Sequence, residues 1–589
     1  MAGSASPSPP RSRCDMNSLR PVLSSRRAHP ALAAFSVLCT LATSGQAQVA
    51  PIPNYGSGDA LREAQPPRPP GTTSQPPAPV IVEQPERPLA LPAGETLTVR
   101  DFKVEGADEI PPAELQAALD PYRGRALSMA EIEQAAGRVT ALLRDRGYLV
   151  ARAYVPRQDA SAGTLTIRVL IGSYGKLTLK NRSLVRDATV ADAFAPLQAG
   201  QPVSRAQLER AMLLVGDMPG ATLPRLTISP GEAPGSSDFD AEVGEGKRLA
   251  GYALVDNQGS LYTGKNRLSA GLDINSPFGI ADRLSLNLMG TEGGGLDNAR
   301  VAYGFPLTAS GLRLELAAAR TTYHLGGDYD DLEAKGRART VEATLSYPLL
   351  RSREQNLSLS LNLAQRHLRD EVGAVESVDR KTTRVATFAV QHERWGQLLG
   401  RPGYTSVVAG FSYGHLDIDN PAQVALNRAG ANTAGDFAHL NLRLAANVEF
   451  AKGWTASSAL SLQKALRNKN LDGSEQMSIS GPNGVRAYRE WVSGDNGYLL
   501  NAEVRYALPA PEGLTHSVGV FADLGRAWLQ NADYATRNGV RLSDVGIGYQ
   551  ARHGALFGRL QVARAIGARP QEIVRESRTR VLVQAGVLF

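Results

Sequence analysis

The sequence predicts a transmembrane β-barrel of about sixteen antiparallel strands, preceded by two small α/β domains. Three observations predict it. An export-signal pattern opens the chain, and a strand–helix–helix–strand–strand pattern occurs twice before residue 247. From Lys247 to Phe589 apolar and polar residues then alternate with no helical period. At 589 residues the chain is too long for one ordinary domain.

Residues 1–47 combine Arg11, Arg13, Arg20, Arg26 and Arg27 with an apolar run from Ala31 to Leu41 and small residues at Gly45 and Ala47. This is the layout of a secretory signal peptide, with cleavage expected after Ala47 and Met16 as an alternative start. Those five arginines against Asp15 account for most of the formal charge of +7, leaving +3 for the rest. No basic patch remains on the mature chain, which excludes a nucleic-acid partner. Cys14 and Cys39 also fall in this stretch, so the mature chain is expected to hold neither disulfides nor thiolate metal sites. Beyond the signal no apolar run reaches the ~20 residues that a membrane helix requires. An exported chain of this kind is either soluble or a barrel.

Residues 48–93 contain 12 of the 36 prolines and read as an extended, polyproline-like linker. Within it residues 59–65, including Asp59, Leu61 and Arg62, can form two helical turns ended by Pro66. So short a helix is marginal alone. A wide pore nearby would give it a seat as a plug.

The first α/β module is expected over 96–173. Leu97 to Val104 reads as a strand and Pro112 to Leu119 as a helix. Ser128 and Glu131 form a capping box, followed by Ile132, Ala136, Val139 and Leu143 at helical spacing, and Gly147 closes that helix. Strands follow at Val150–Val155 and Leu165–Ile171. The second module, 174–246, repeats the order: Lys176–Lys180, Val185–Leu197, a helix opened by Ser204 and Gln207, then Leu223–Ile228 and Phe239–Val243.

From 247 to 589 the dyad pattern takes over. Leu357, Leu359, Leu361 and Leu363 alternate with Ser358, Ser360 and Asn362, and the last strand runs Val581, Val583, Ala585, Val587, Phe589. One apolar and one polar face, repeated over about sixteen segments, is what a membrane barrel requires. Sixteen strands enclose an aqueous lumen. On the strand His516 to Trp528, Phe521, Asp523 and Gly525 share one face and Val518, Val520, Ala522 and Leu524 the other. The apolar face meets lipid, so Asp523 points into the lumen.

At these residues the chain resembles the outer-membrane transporters of two-partner secretion, the haemolysin secretion/activation proteins. Its α/β modules resemble polypeptide-transport-associated (POTRA) domains, and Gly147-Tyr148-Leu149 through Val155-Pro156-Arg157-Gln158 resembles the first POTRA signature. Asp256-Asn257-Gln258-Gly259-Ser260 with Thr263-Gly264 resembles the family's opening barrel hairpin. Gly484-Val485-Arg486-Ala487-Tyr488 resembles the Val-Arg-Gly-Tyr tip of a loop, after strand eleven, that folds back into the barrel. Phe521-Ala522-Asp523-Leu524-Gly525 resembles its Phe-x-Asp-x-Gly strand. Ala487 replaces the family glycine, and alanine disfavours positive φ, so the tip backbone is expected to differ slightly.

The resemblance implies an ion-pair latch of Arg486 and Asp523, and Phe589 as the signal read by the barrel assembly machinery. It implies outer-membrane lipid around the barrel, POTRA domains in the periplasm, and an unfolded, dedicated exoprotein as partner. The expected function is secretion of that adhesin-like or haemolysin-like exoprotein; the alternative is an outer-membrane insertase of the same superfamily. No enzyme, cofactor or metal is expected: the seven histidines beyond residue 47 are scattered, none in a metal-binding pair, and Gly546-Ile547-Gly548 lies in a strand with no helix after it.

Overall fold

The computed structural model describes residues 55–65, 80–83, 96–108, 110–160, 162–481, 483–535, 538–568 and 577–589. The expected signal segment and its cleavage point, most of the linker and Pro482 lie outside these.

The first module folds around its own core of Phe102, Leu119, Leu127, Val139, Leu143 and Ile167. The helix Met129–Asp145 begins where expected: Ser128 accepts from the Glu131 backbone N–H, and the Ser128 N–H donates to the Glu131 carboxylate at 2.8 Å. The strand read as Leu97 to Val104 is two strands, Thr96–Val99 and Asp101–Glu105, broken at Arg100. Each serves a different partner. The first pairs with Arg125–Ser128, the second with Thr164–Leu170, and one continuous strand could not face both. In the signature stretch, Gln158 exchanges two side-chain hydrogen bonds with the Thr166 backbone, 2.7 and 2.8 Å, standing in for a strand partner.

The second module has a separate core around Val190, Phe194, Leu208, Met212, Leu226 and Phe239. Its sheet carries an unforeseen fourth strand, Val80–Glu83 from the linker. The segment read as linker alone is therefore part of a sheet at these four residues.

The barrel closes with sixteen antiparallel strands, from Leu249–Asp256 to Thr579–Leu588, the first and last paired to each other. Leu268, Leu288, Val341, Leu363 and Ile547 stand exposed on the outer face, the band that lipid covers. Aromatic pairs ring one end: Phe278 with Tyr303, Trp395 with Tyr404, Trp454 with Tyr506, and Tyr549 with His516. Aromatic residues of this kind mark a membrane interface. At that same end the second module docks on the short turns. Arg351 holds Asp217 in a fork at 2.7 and 2.8 Å, Arg210 donates to the Pro348 carbonyl at 2.8 Å, and Ser276 donates to the Pro219 carbonyl at 2.7 Å.

Candidate functional site in the barrel lumen

Two segments enter the barrel. The first is the short helix. It runs Ser57–Glu63 rather than over 59–65: the Gly56 N–H donates to the Asp59 carboxylate at 3.0 Å, which starts the helix earlier and leaves Gln65 beyond its end. Arg62 pairs with Asp59 at 2.5 Å one turn away, and Leu61 is half-buried. Ala60 and Ala64 pack on Met289, Leu296, Tyr323 and Leu325 of the wall.

The helix is clasped at both ends. Ser57 donates twice to Asp370, at 2.8 Å from its N–H and 3.0 Å from its hydroxyl, and Tyr323 donates to the same carboxylate at 2.7 Å. Glu63 is 2 % exposed and accepts from the Ser260 N–H, the Thr263 hydroxyl and the Tyr55 hydroxyl at 2.9, 3.1 and 2.8 Å. A buried carboxylate needs such partners, since an unpaired one is strongly disfavoured.

The second segment is the loop between the eleventh strand, Trp454–Ala465, and the twelfth, Asn496–Ala507. Short strands at Met477–Ser478 and Ser493–Gly494 stiffen it into a hairpin. On its way down, Asp472 meets Lys381 at 3.4 Å and Glu475 meets Arg366 and His439. The loop also touches the plug: Arg62 donates to the Gly473 carbonyl.

At the loop tip the two sequence motifs meet. Arg486 donates from Nε to Asp523 Oδ2 at 2.9 Å and from Nη2 to Oδ1 at 3.2 Å, a bidentate fork. Its guanidinium stacks on the Phe521 ring, 3.6 Å from the centroid, and Glu503 stands 3.4 Å away. Val485, Ala487 and Tyr488 are buried with Ile479, Phe521 and Leu542. Gly484 presses against Ile479 and Ser480, and Gly525 faces Ile479 and Val485. Ala487 is not among the residues with positive φ, so the substituted alanine sits in ordinary backbone. Its N–H donates to Asp544 at 2.5 Å.

Sequence reasoning missed Asp544, Arg580 and Asn501. Asp544 lies directly opposite Asp523 on the next strand. Two facing carboxylates repel; the Arg486 fork and the Ala487 N–H answer the pair. Asn501, opposite Asp523 on the other side, donates to it at 2.8 Å and to the Gly484 carbonyl at 3.1 Å. Arg580 donates to the Arg486 and Tyr488 carbonyls at 3.2 and 3.0 Å. Each is a polar residue on an inward strand position, which was the available signal. Gly546, read from the sequence only as part of a strand, makes room for Phe521: a Cβ there would lie 2.2 Å from the Phe521 ring.

The opening hairpin joins both segments. Besides its bonds to Glu63, Ser260 donates to Glu490 at 2.8 Å, and Arg489 donates to the Gly259 carbonyl at 2.8 Å. Arg267 holds Asp256 at 2.8 Å in a fully buried pair beneath. Phe589 exchanges two 3.0 Å backbone bonds with Gly251 and closes the seam between first and last strands. Among the described residues no group of His, Cys, Asp and Glu is arranged to hold a metal.

Comparisons with known proteins agree with this architecture. The family model for haemolysin secretion/activation protein ShlB/FhaC/HecB matches residues 235–551, more than half of the chain, and that for the ShlB-type POTRA domain matches 97–172. The heme/hemopexin transporter protein HuxB of Haemophilus influenzae is 27% identical over 446 residues, 75% of this chain and 78% of its own. The outer membrane transporter CdiB of Dickeya dadantii is 23% identical over 486 residues, 80% of this chain and 84% of its own. The solved structure of CdiB from Escherichia coli superposes with a TM-score of 0.68 at 19% identity, covering 90% of this chain and 95% of that one. The chain belongs to the haemolysin secretion/activation protein family, outer-membrane transporters of two-partner secretion that carry periplasmic POTRA domains before the barrel.

Proposed function

We propose that this chain exports one large adhesin-like or haemolysin-like exoprotein, captured unfolded by the POTRA domains and passed through the barrel lumen. In this reading the helix Ser57–Glu63 is a resting plug, and the Arg486–Asp523 pair is the latch that keeps the loop tip at its working position inside the wall. The observation that carries it is the guanidinium fork on Asp523, because a bidentate pair fixes orientation as well as proximity. Transport does not require the loop to leave. It requires the plug to leave, and the plug is held by hydrogen bonds and two small alanines rather than a large apolar face.

Deleting the gene and comparing secreted proteins by mass spectrometry tests the core of this. One large exoprotein should disappear from the medium and return on complementation. An unchanged set of secreted proteins, with outer-membrane barrels depleted instead, would favour an assembly role.

A further inference from the structure

The outer face of the barrel carries a cluster of arginines on its fifth to eighth strands, Arg313–His324, Ala334–Arg351, Gln355–Val372 and Ser377–Leu398. Thr321, Thr340, Leu368 and Thr383 of these strands are buried on the inner side. By the two-residue period of a strand, Arg320, Arg337, Arg339, Arg369, Arg380 and Arg384 therefore face out.

Farther along the same strands the same face is apolar: Leu316 and Ala318, Val341 and Ala343, Leu361 and Leu363, Ala386 and Phe388. On three of the four strands the outward residue next to this band is arginine: Arg320 after Ala318, Arg339 after Val341, Arg384 after Ala386. The change from hydrocarbon to guanidinium is abrupt. The second POTRA domain holds Pro348 and Arg351 at the opposite strand ends, so this boundary lies on the cell-surface side, at the outer leaflet.

Strand register sets the arginines against one another. Arg320 lies opposite Arg339, Arg337 opposite Arg369, and Arg369 opposite Arg380. Like charges directly opposed destabilise a sheet. Carboxylates answer two of the six: Glu371 meets Arg369 at 2.5 Å, and Asp417 meets Arg384 at 2.9 Å. Arg320, Arg337, Arg339 and Arg380 have no ion-pair partner among the described residues.

An anion that lies between such residues relieves their repulsion, and the guanidinium fork matches phosphate oxygens in particular. Basic clusters at a membrane boundary recognise lipid head groups on this principle. Just below the arginines a groove is lined by Leu316, Val341, Leu363 and Tyr413, with Arg384 and His415 at its rim. Free phosphate would use the arginines and leave the groove. A phosphorylated lipid uses both.

We infer that this face is a binding site for the phosphorylated glycolipid of the outer leaflet. Its phosphates are held by Arg320, Arg337, Arg339 and Arg380, and its acyl chains lie along the groove. The inference needs only the outer-membrane location and is independent of which exoprotein is exported.

The test titrates purified full-length protein in dodecyl maltoside with bisphosphorylated lipid A, counting bound lipid by native mass spectrometry. The variant with Arg320→Gln, Arg337→Gln, Arg339→Gln and Arg380→Gln should bind at least ten-fold more weakly than the parent. Freed of opposed charges, it should be no less heat-stable than the parent in lipid-free detergent, which a merely structural role of the arginines does not allow. The pair Arg320→Gln with Arg339→Gln, a milder change that serves if the four together impair insertion, should weaken binding at least three-fold. Phosphatidylglycerol, and lipid A stripped of both phosphates, should each bind the parent at least ten-fold more weakly than intact lipid A. Inorganic phosphate at the same concentration should not displace it. Equal lipid A binding by parent and variants, a less stable lipid-free variant, equal binding of either comparison lipid, or displacement by inorganic phosphate would each overturn the inference.

Discussion

Arg486 makes contacts that a lysine cannot: a fork on Asp523, a stack on Phe521 and a reach to Glu503. Breaking a buried pair from one side leaves the other charge uncompensated, a local loss of about 3–5 kcal/mol, here worsened by Asp544 facing Asp523. Arg486→Ala should lower export at least ten-fold while barrel abundance and heat-modifiable migration stay normal. Asp523→Ala should behave alike, and the double variant should be little worse, because coupled residues are not additive. Arg486→Lys keeps the charge but loses fork and stack, so its export should stay well below parental. Wild-type export by Arg486→Ala at wild-type abundance would refute the latch. In the first POTRA domain the cap on Met129–Asp145 is a second residue-scale case. The backbone N–H of Ser128 holds the Glu131 carboxyl below its ordinary range. A lowered folded-state value means stabilisation present above the unfolded value, about pH 4, and lost as the pH falls through the folded one. Ser128→Ala should remove about 1 kcal/mol, read as roughly five-fold faster amide exchange in this helix of the full-length protein. The difference between parent and Glu131→Gln should narrow only in acid.

Among the elements, the plug helix is defined by where it fits rather than by its own stability. Seven residues cannot hold a helix alone; Asp370 at one end and Glu63 in its cradle at the other hold it. Gly58 sits so close to the loop that a Cβ would lie 2.4 Å from the Ser474 nitrogen. Gly58→Val should therefore unseat the helix without shortening the chain and raise channel conductance in planar bilayers. Deleting residues 48–70 should do the same, and unchanged conductance in both would show that the helix does not occlude the pore. The helix's existence was legible from the run 59–65, long enough for two helical turns, and from Pro66 after it. Its start at Ser57 was not, because the residues that set it include Asp370, over three hundred positions away.

For the whole molecule, the barrel and the second POTRA domain are joined by the Arg351–Asp217 fork, by hydrogen bonds to carbonyls such as those of Pro348 and Pro219, and by Ala281 of a barrel turn, which is buried with the second module's core. Asp217→Ala should loosen this docking, seen as faster proteolytic release of the POTRA domains from an intact, heat-modifiable barrel; unaltered release would show that the other turn contacts suffice. The sequence by itself determined the strand count, the inward face of Asp523, both module cores and the place of the inward loop. The first three follow from periodicity, which is a local property of the chain; the place of the loop follows from the resemblance of Val485-Arg486-Ala487-Tyr488 to the family's loop tip. Only the tertiary structure decided what faces what. That Asp544 opposes Asp523, that Arg580 holds the loop-tip carbonyls, that Glu63 rests on the opening hairpin and that Val80–Glu83 completes a POTRA sheet all depend on strand register and chain return. A dyad pattern says which face a side chain takes, but it carries no information on which residue of the neighbouring strand lies beside it.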